Sequence, residues 1–276
     1  MIIREAIRKA QASLRHDDAR FDAVCLAEKA FGLSKTELRL HGGRQIEPGE
    51  YFSLIERRAA GEPLQYILGT WEFYGLPFVV GSGVLIPRPE TEQLVDIALA
   101  HLQGLENPIV YDLCAGSGCV GLSVAHHCLN AQVKLVELSD EALSYLQKNA
   151  QAYPNAQVIQ ADVLTCHLSP VTCQLILSNP PYIASSEIAG LSREVRREPH
   201  MALDGGTDGL EFYRALTEKW LPRLAPGGLL ACECGEGQAR KIAAMFAPLK
   251  TEVVKDFNGV ERIVLARQIR ASHAAM

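Results

Sequence analysis

Ile109-Val110-Tyr111-Asp112-Leu113-Cys114-Ala115-Gly116-Ser117-Gly118-Cys119-Val120-Gly121 is the stretch whose reading decides the fold. Its first five residues form an apolar run that reads as a buried strand, and the residues from Cys119 to about Leu129 have helical spacing. Between them the glycines fit G-x-G-x-x-G, which lets a backbone approach a nucleotide closely. The next strand ends in Glu137, about 20 positions on, where a carboxylate can accept from both hydroxyls of a ribose. Asp112 closes the first strand, placed either to hold the loop or to meet the cofactor. Asp162, followed by Val163, closes the third strand, where a carboxylate suits an adenine amino group or a turn equally well. The expected cofactor-binding residues are Asp112, Cys114, Ala115, Gly116, Ser117, Gly118, Glu137, Asp162 and Val163, with Asn179 added below. On this pattern alone, NAD and S-adenosylmethionine are not separable.

Strand-like runs recur outward from that stretch, at 109–113, 133–137, 157–160, 174–178, 228–233, 251–256 and 262–267, with helix-like stretches between most of them. The alternation predicts a mostly parallel sheet with helices on both faces. Phe257-Asn258-Gly259 joins the last two runs and is short enough for a hairpin, so the edge is expected to be antiparallel. Toward the N-terminus the period changes. Ile3, Ile7 and Ala10 form one helical stripe, and Val24, Leu26, Ala27, Ala30 and Phe31 form another that Gly32 ends. Pro48 stands near the start of a third helix carrying Tyr51, Leu54, Ile55 and Arg58. The domain reading is a helical domain over 1–64, expected to recognise the substrate or else to cap the main domain, a β-hairpin connector over 65–86 with Gly75-Leu76-Pro77 between its strands, and the cofactor domain over 87–276. In that last domain Pro87-Arg88-Pro89-Glu90-Thr91-Glu92 opens a helix through Leu102, and the C-terminal tail is expected to fray.

Composition sets bounds on function. The chain has 276 residues, 48% hydrophobic and 21% charged, which suits a soluble protein of two unequal domains. It has no apolar run of membrane-spanning length and no signal-peptide core, so cytoplasmic location is expected and a membrane partner is not. The eight cysteines are scattered without a CxxC pair and read as reduced core residues; no metal is expected. A net charge of −5 argues only weakly against gripping free nucleic acid by its phosphates and leaves room for a local basic patch, and no direct nucleic-acid partner is expected. Arg57-Arg58 and the group Arg193, Arg196 and Arg197 read mainly as solvated faces, with docking of a protein partner as the alternative.

The apolar run Gln174–Ser178 leads directly into Asn179-Pro180-Pro181-Tyr182. Proline cannot donate to a ladder, so the strand stops there with backbone carbonyls left free to accept. Asn179 adds an acceptor and Tyr182 a flat face, a set that suits a planar NH2 group, either an amide or adenine. The expected catalytic residues are Asn179, Pro180 and Tyr182, and the substrate-binding residues are the same three with Pro181. His200 and His126 read as surface or turn residues.

Together, the Asp112–Gly118 loop, Glu137, Asp162 and NPPY resemble the class I S-adenosylmethionine-dependent methyltransferases. LIPRPETEQLV at 85–95, REVRREPHMALDGGTDGLEFYRAL at 193–216, GEGQ at 235–238 and FNGVERIV at 257–264 narrow the resemblance. They resemble the peptide chain release factor glutamine methyltransferase family, from about residue 20 to 267. The resemblance implies a Rossmann-like sheet with a helical N-terminal domain and S-adenosylmethionine as cofactor, leaving as S-adenosylhomocysteine. It also implies methylation of the Gly-Gly-Gln glutamine of bacterial release factors as protein partners. A family acting on a glutamine of a large-subunit ribosomal protein shares NPPY and the Glu198-Pro199 segment, and adenine methyltransferases share NPPY. Residues 1–60 and GEGQ favour the release factor family. Cys114 and Ala115 depart from the Gly/Thr common in that loop, and Glu137 from the commoner Asp.

Overall fold

The computed structural model describes residues 1–165 and 171–269; Cys166 and the tail from Arg270 lie outside them. Contacts divide the chain into Met1–Trp71 with Ser192–Arg197, and Glu72–Leu191 with the remainder.

The first unit contains α1 (Ile3–Ser13), α2 (Ala19–Phe31), α3 (Lys35–Leu40), α4 (Gly49–Ala59) and α5 (Leu64–Leu68). Gly32 ends α2 at φ 63°, in the left-handed region where it carries no Cβ penalty. Ser34 and Glu37 close a reciprocal capping box on α3. Tyr51 is fully buried, and its hydroxyl donates to the Ala23 carbonyl at 2.8 Å. Asp22, 3% exposed, is charge-paired with Arg58 at 2.5 Å, and Arg58 reaches Glu194 at 3.1 Å. Arg57 pairs with Glu62, and Arg197 donates to the Ala60 carbonyl. Three of the five arginines in the two basic clusters thus hold partners inside this unit.

The connector is smaller than its sequence suggests. Residues 65–68 continue α5, and the hairpin is β1 (Thr70–Phe73) and β2 (Leu76–Val79). Its turn is Tyr74-Gly75, both at positive φ, so Leu76 and Pro77 belong to the second strand and not to the turn. Residues 80–86 form no strand. Phe73 and Phe78 are buried edge to face at 6.2 Å, each contributing roughly 1.5–3 kcal/mol of apolar burial.

The second unit then opens α6 (Glu92–Leu102) after a 3-10 turn at Pro89–Thr91, where proline's fixed φ suits a helix start. β3 (Ile109–Leu113), α7 (Cys119–His127), β4 (Gln132–Glu137), α8 (Asp140–Ala150), β5 (Ala156–Gln160) and β6 (Cys173–Ser178) follow. Next come α9 (His200–Leu203), α10 (Glu211–Ala215), β7 (Leu224–Glu233), α11 (Ala239–Met245), β8 (Lys250–Lys255) and β9 (Glu261–Arg267). The sheet order is β5-β4-β3-β6-β7-β9-β8, parallel except that β9 runs antiparallel to both neighbours. The seven strands begin and end within a few residues of their sequence-predicted runs.

That order fixes where a ligand can sit. The chain moves outward from β3 through β4 to β5, then returns to the other side of β3 as β6, so β3 and β6 flank the switch point of the sheet. Leu113 is in register with Ser178, and the buried Ser178 hydroxyl donates to the Leu113 carbonyl at 2.9 Å. The next residues, Cys114 and Asn179, therefore leave neighbouring strand ends side by side. Trp220, fully buried, stands edge to face with Tyr111 and donates its indole N–H to the Val163 carbonyl at 3.0 Å. It ties the helical stretch after α10 to the end of the third parallel strand.

Candidate active site

A cavity of about 340 Å3 opens at the carboxyl ends of β3, β4 and β6. Of the residues expected to bind a cofactor, Asp112, Cys114, Ala115, Gly116, Ser117, Glu137, Asp162, Val163 and Asn179 line it. Gly118 does not. It caps α7 at φ 81°, and a Cβ there would lie 2.5 Å from Leu146 Cδ1, so its glycine is required by packing. Gly121 has the same kind of role: a Cβ would fall 2.3 Å from Leu135 and 2.8 Å from Asp112 Oδ2. That closeness lets the Gly121 N–H donate to Asp112 Oδ2 at 2.8 Å. Asp112 holds the loop to the helix, and burial pushes its carboxyl pKa up to about 7 despite that hydrogen bond, with Glu137 adding to the rise.

Glu137 is the most heavily used acceptor of the site. Its Oε2 accepts from the Gly116 N–H, and its Oε1 accepts from the Leu138 and Ser139 N–H groups, each at 2.8 Å. The two loops are thereby locked together through one carboxylate, which has about four acceptor positions. Cys114 holds φ 58°, the one non-glycine residue of the loop in the left-handed region. Ser117 Oγ is buried, with the Cys119 thiol beside it as a weak partner. Asp162 Oδ1 accepts from the Leu164 N–H at 2.8 Å, so this carboxylate is both a turn residue and a wall of the cavity.

At the β6 end, Asn179 and Pro181 line the cavity, Pro180 is buried behind them, and Tyr182 is half-buried outside the lining. Burial pushes the Tyr182 hydroxyl up to about 12. The turn is clamped from behind. Gln238 of GEGQ donates to the Tyr182 carbonyl at 2.8 Å while its Oε1 accepts from the Gly235 N–H at 2.9 Å. A Cβ on Gly205 would lie 2.8 Å from the Tyr182 Cα, so the Asp204-Gly205-Gly206 loop packs directly on the motif. Glu198, 5% exposed, accepts from the Ile86 N–H and pairs with Arg88, joining the two segments that frame the cavity. His200 stands on the rim, exposed, 3.8 Å from Asp204, whereas His126 stands edge to face with His127 and Tyr153 outside the lining.

Two residues that sequence reasoning missed stand beside Asn179. Its Nδ2 donates to Thr91 Oγ1 at 3.2 Å, and Thr91 Oγ1 donates to Glu233 Oε2 at 2.6 Å. Glu233 is 3% exposed, and burial pushes its carboxyl up to about 7 although the Thr91 hydrogen bond and Arg262 act the other way. A carboxylate ending a parallel strand next to the switch point was the available signal.

Comparison with known proteins agrees with this architecture. The family model described as PrmC N-terminal domain matches residues 5–69, and the Methyltransferase small domain matches residues 92–203. The hMettl16 catalytic domain, solved in complex with MAT2A 3'UTR hairpin 6, superposes with a TM-score of 0.57 at 16% identity. It covers 81% of this chain and 84% of that one, a likeness of fold and not of substrate. A release factor glutamine methyltransferase of Geobacter sulfurreducens is 39% identical over 258 residues, covering 91% of this chain and 90% of its own. Its counterpart from Moorella thermoacetica is 36% identical over 279 residues, covering 96% and 98%. With a class I methyltransferase fold and likeness of this extent to both relatives, the chain belongs to the release factor glutamine methyltransferase family.

Proposed function

We propose that this chain transfers a methyl group from S-adenosylmethionine to the side-chain amide nitrogen of the Gly-Gly-Gln glutamine in bacterial release factors. The observation that carries the reading is that the Asn179 end of β6 and the Gly116–Glu137 pair open onto one cavity at the switch point. The cavity fits an adenosyl cofactor: Glu137 and Asp162 bring carboxylates to two neighbouring strand ends, and the Ser117 hydroxyl lies on the same lining. Glu137 would hold the ribose, Asp162 the adenine amine, and Gly116 and Ser117 the remaining polar groups. Bound there, S-adenosylmethionine supplies an electrophilic methyl group.

What the chain itself contributes is orientation. An amide nitrogen is a poor nucleophile because its lone pair is delocalised into the carbonyl. Asn179 Oδ1 and the Pro180 carbonyl accept its two N–H bonds, which aims the lone pair and favours pyramidal geometry, while Tyr182 supports the turn. Such orientation and the exclusion of water account for most of the acceleration. The methylated amide is acidic enough to lose its extra proton to water, so His200 needs no role as base. Release factors act at the ribosome, so a cytoplasmic location accompanies this reading. Among the described residues no helix is long and apolar enough to cross a membrane.

The test is incubation of the full chain with labelled S-adenosylmethionine and four acceptors. These are an intact release factor, the same factor with its Gly-Gly-Gln glutamine changed to Asn, a large-subunit ribosomal protein, and an adenine-containing oligonucleotide. Methylation of the first alone is expected, because Asn is one methylene too short. Methylation of the oligonucleotide or ribosomal protein, and not the release factor, would overturn the substrate assignment.

A further inference from the structure

Asn179 has two ends of nearly equal size and opposite character, and a hydrogen-bond acceptor for an incoming NH2 group is available only if the oxygen end faces the cavity. The strand itself does not fix that choice, since a carboxamide can rotate by half a turn about its last bond. Its surroundings do. Thr91 is 2% exposed and Glu233 is 3% exposed, on the segment before α6 and at the end of β7. The Thr91 hydroxyl lies 2.6 Å from Glu233 Oε2 and 3.2 Å from Asn179 Nδ2. A threonine hydroxyl has one proton, which points to Glu233 Oε2, and once Glu233 is ionised, as pH rises past the value of about 7 to which burial lifts it, that carboxylate can only accept. With that proton spent on Glu233, the Thr91 oxygen can serve Asn179 only as an acceptor. It therefore selects the NH2 end of Asn179, and among the described residues no protein donor engages Oδ1. Glu233 is fixed in turn, because the buried Tyr213 hydroxyl donates to its carbonyl at 2.8 Å.

We infer that Thr91 and Glu233 are positioning residues for methyl transfer, a two-step relay that sets the polarity of the Asn179 carboxamide so that its oxygen faces the acceptor amide. The inference rests on the proposed reading of Asn179 as acceptor for the target NH2. It gives the PRPETE segment a role in the reaction without direct contact to the substrate. A simple buried staple between the start of α6 and β7 would explain the same two hydrogen bonds but would not depend on which end of Asn179 faces Thr91.

The test compares Thr91→Val, which keeps the shape and removes the hydroxyl, with Thr91→Ser, which keeps the hydroxyl and removes the methyl. Thr91→Val should lower kcat on the release factor by about 10- to 100-fold, the loss expected when an orienting partner is removed. Its affinity for S-adenosylhomocysteine should change less than about twofold, and Thr91→Ser should recover most of the lost rate. Glu233→Gln, which leaves Thr91 with an ambiguous partner, should show a smaller loss in kcat and serves if Thr91→Val does not fold. The 1H–15N signals of the Asn179 side chain, assigned by their disappearance in Asn179→Ala, give a readout independent of substrate. They should shift and exchange faster in whichever of Thr91→Val and Glu233→Gln folds. Wild-type kcat in a folded Thr91→Val or Glu233→Gln chain, equal losses in Thr91→Val and Thr91→Ser, or unmoved Asn179 signals would overturn the relay. Failure of the wild-type chain to methylate a release factor would instead refute the substrate assignment and leave the side-chain signals to judge the relay.

Discussion

Replacing Glu137 by Gln isolates the role of its two oxygens, because size and shape are conserved. In the structure Oε1 accepts from Leu138 and Ser139 while Oε2 accepts from Gly116. A glutamine has one oxygen. If it serves Leu138 and Ser139, its NH2 group faces the Gly116 N–H, donor against donor. If it is turned over, two backbone donors are left facing an NH2 group. Either way at least one hydrogen bond to a charged acceptor is lost, worth about 1.5–3 kcal/mol, and Gly116 or the residues after β4 must move. Since the same carboxylate is proposed to accept from the ribose, the loss should appear in cofactor binding. Titration calorimetry with S-adenosylhomocysteine should show affinity reduced by roughly 10- to 100-fold, at 1.4 kcal/mol per factor of ten. Urea unfolding should show a parallel loss of stability, since the loops are coupled through this group without any ligand. Glu137→Asp keeps both acceptors and should lose less. A Glu137→Gln chain with wild-type affinity and wild-type urea midpoint would refute the account.

Three further outcomes follow from other parts of the cavity. Asn179→Ala removes one proposed acceptor and leaves the strand end in place, so kcat on a release factor should fall about 10²- to 10³-fold while S-adenosylhomocysteine affinity changes little; a loss confined to affinity would contradict the assignment. Cys114→Gly relieves left-handed backbone at φ 58° and should raise the unfolding free energy read from urea titration, by up to about 1 kcal/mol after glycine's greater unfolded entropy is subtracted; a lower value would show that packing of the thiol outweighs the strain. Asp112 and Glu233 both have carboxyl pKa values raised to about 7, so each keeps a proton in the folded chain that the unfolded chain has already lost above about pH 4. Stability should therefore fall as pH rises from 5 to 7, by roughly 1.4 kcal/mol per pH unit for a fully acting group, and Glu233→Gln should flatten that slope; equal slopes in the two chains would exclude Glu233.

The parts of this site that sequence makes legible are those whose physics is local. A strand interrupted by two prolines, a glycine turn and a carboxylate closing the neighbouring strand each declare themselves within a few residues. The switch-point rule then brings Asn179 beside Cys114 without reference to coordinates. The connector is shorter than its apolar pattern for the same kind of reason: Gln65–Leu68 is apolar enough for a strand, but Pro63 starts a helical turn there and Gly69, at φ 79°, ends it. What could not be read is whatever depends on a partner far away in the chain. Glu233 stands 142 residues from the threonine it binds, and Gln238 reaches back 56 residues to hold the Tyr182 carbonyl. Neither pairing leaves a periodicity or a spacing. They are visible beforehand only as polar side chains in apolar or glycine-rich surroundings, a Glu ending a run of buried strand residues and a Gln after Gly235-Glu236-Gly237. Burying such a group without a partner costs about 1–3 kcal/mol or more, so each one implies an unseen partner even when its identity is hidden. Both of these unexplained polar residues connect to the Asn179–Tyr182 turn. A turn made of an amide and two prolines has little hydrogen bonding of its own to resist displacement, and its geometry is held from outside by residues whose presence is puzzling until the turn is known.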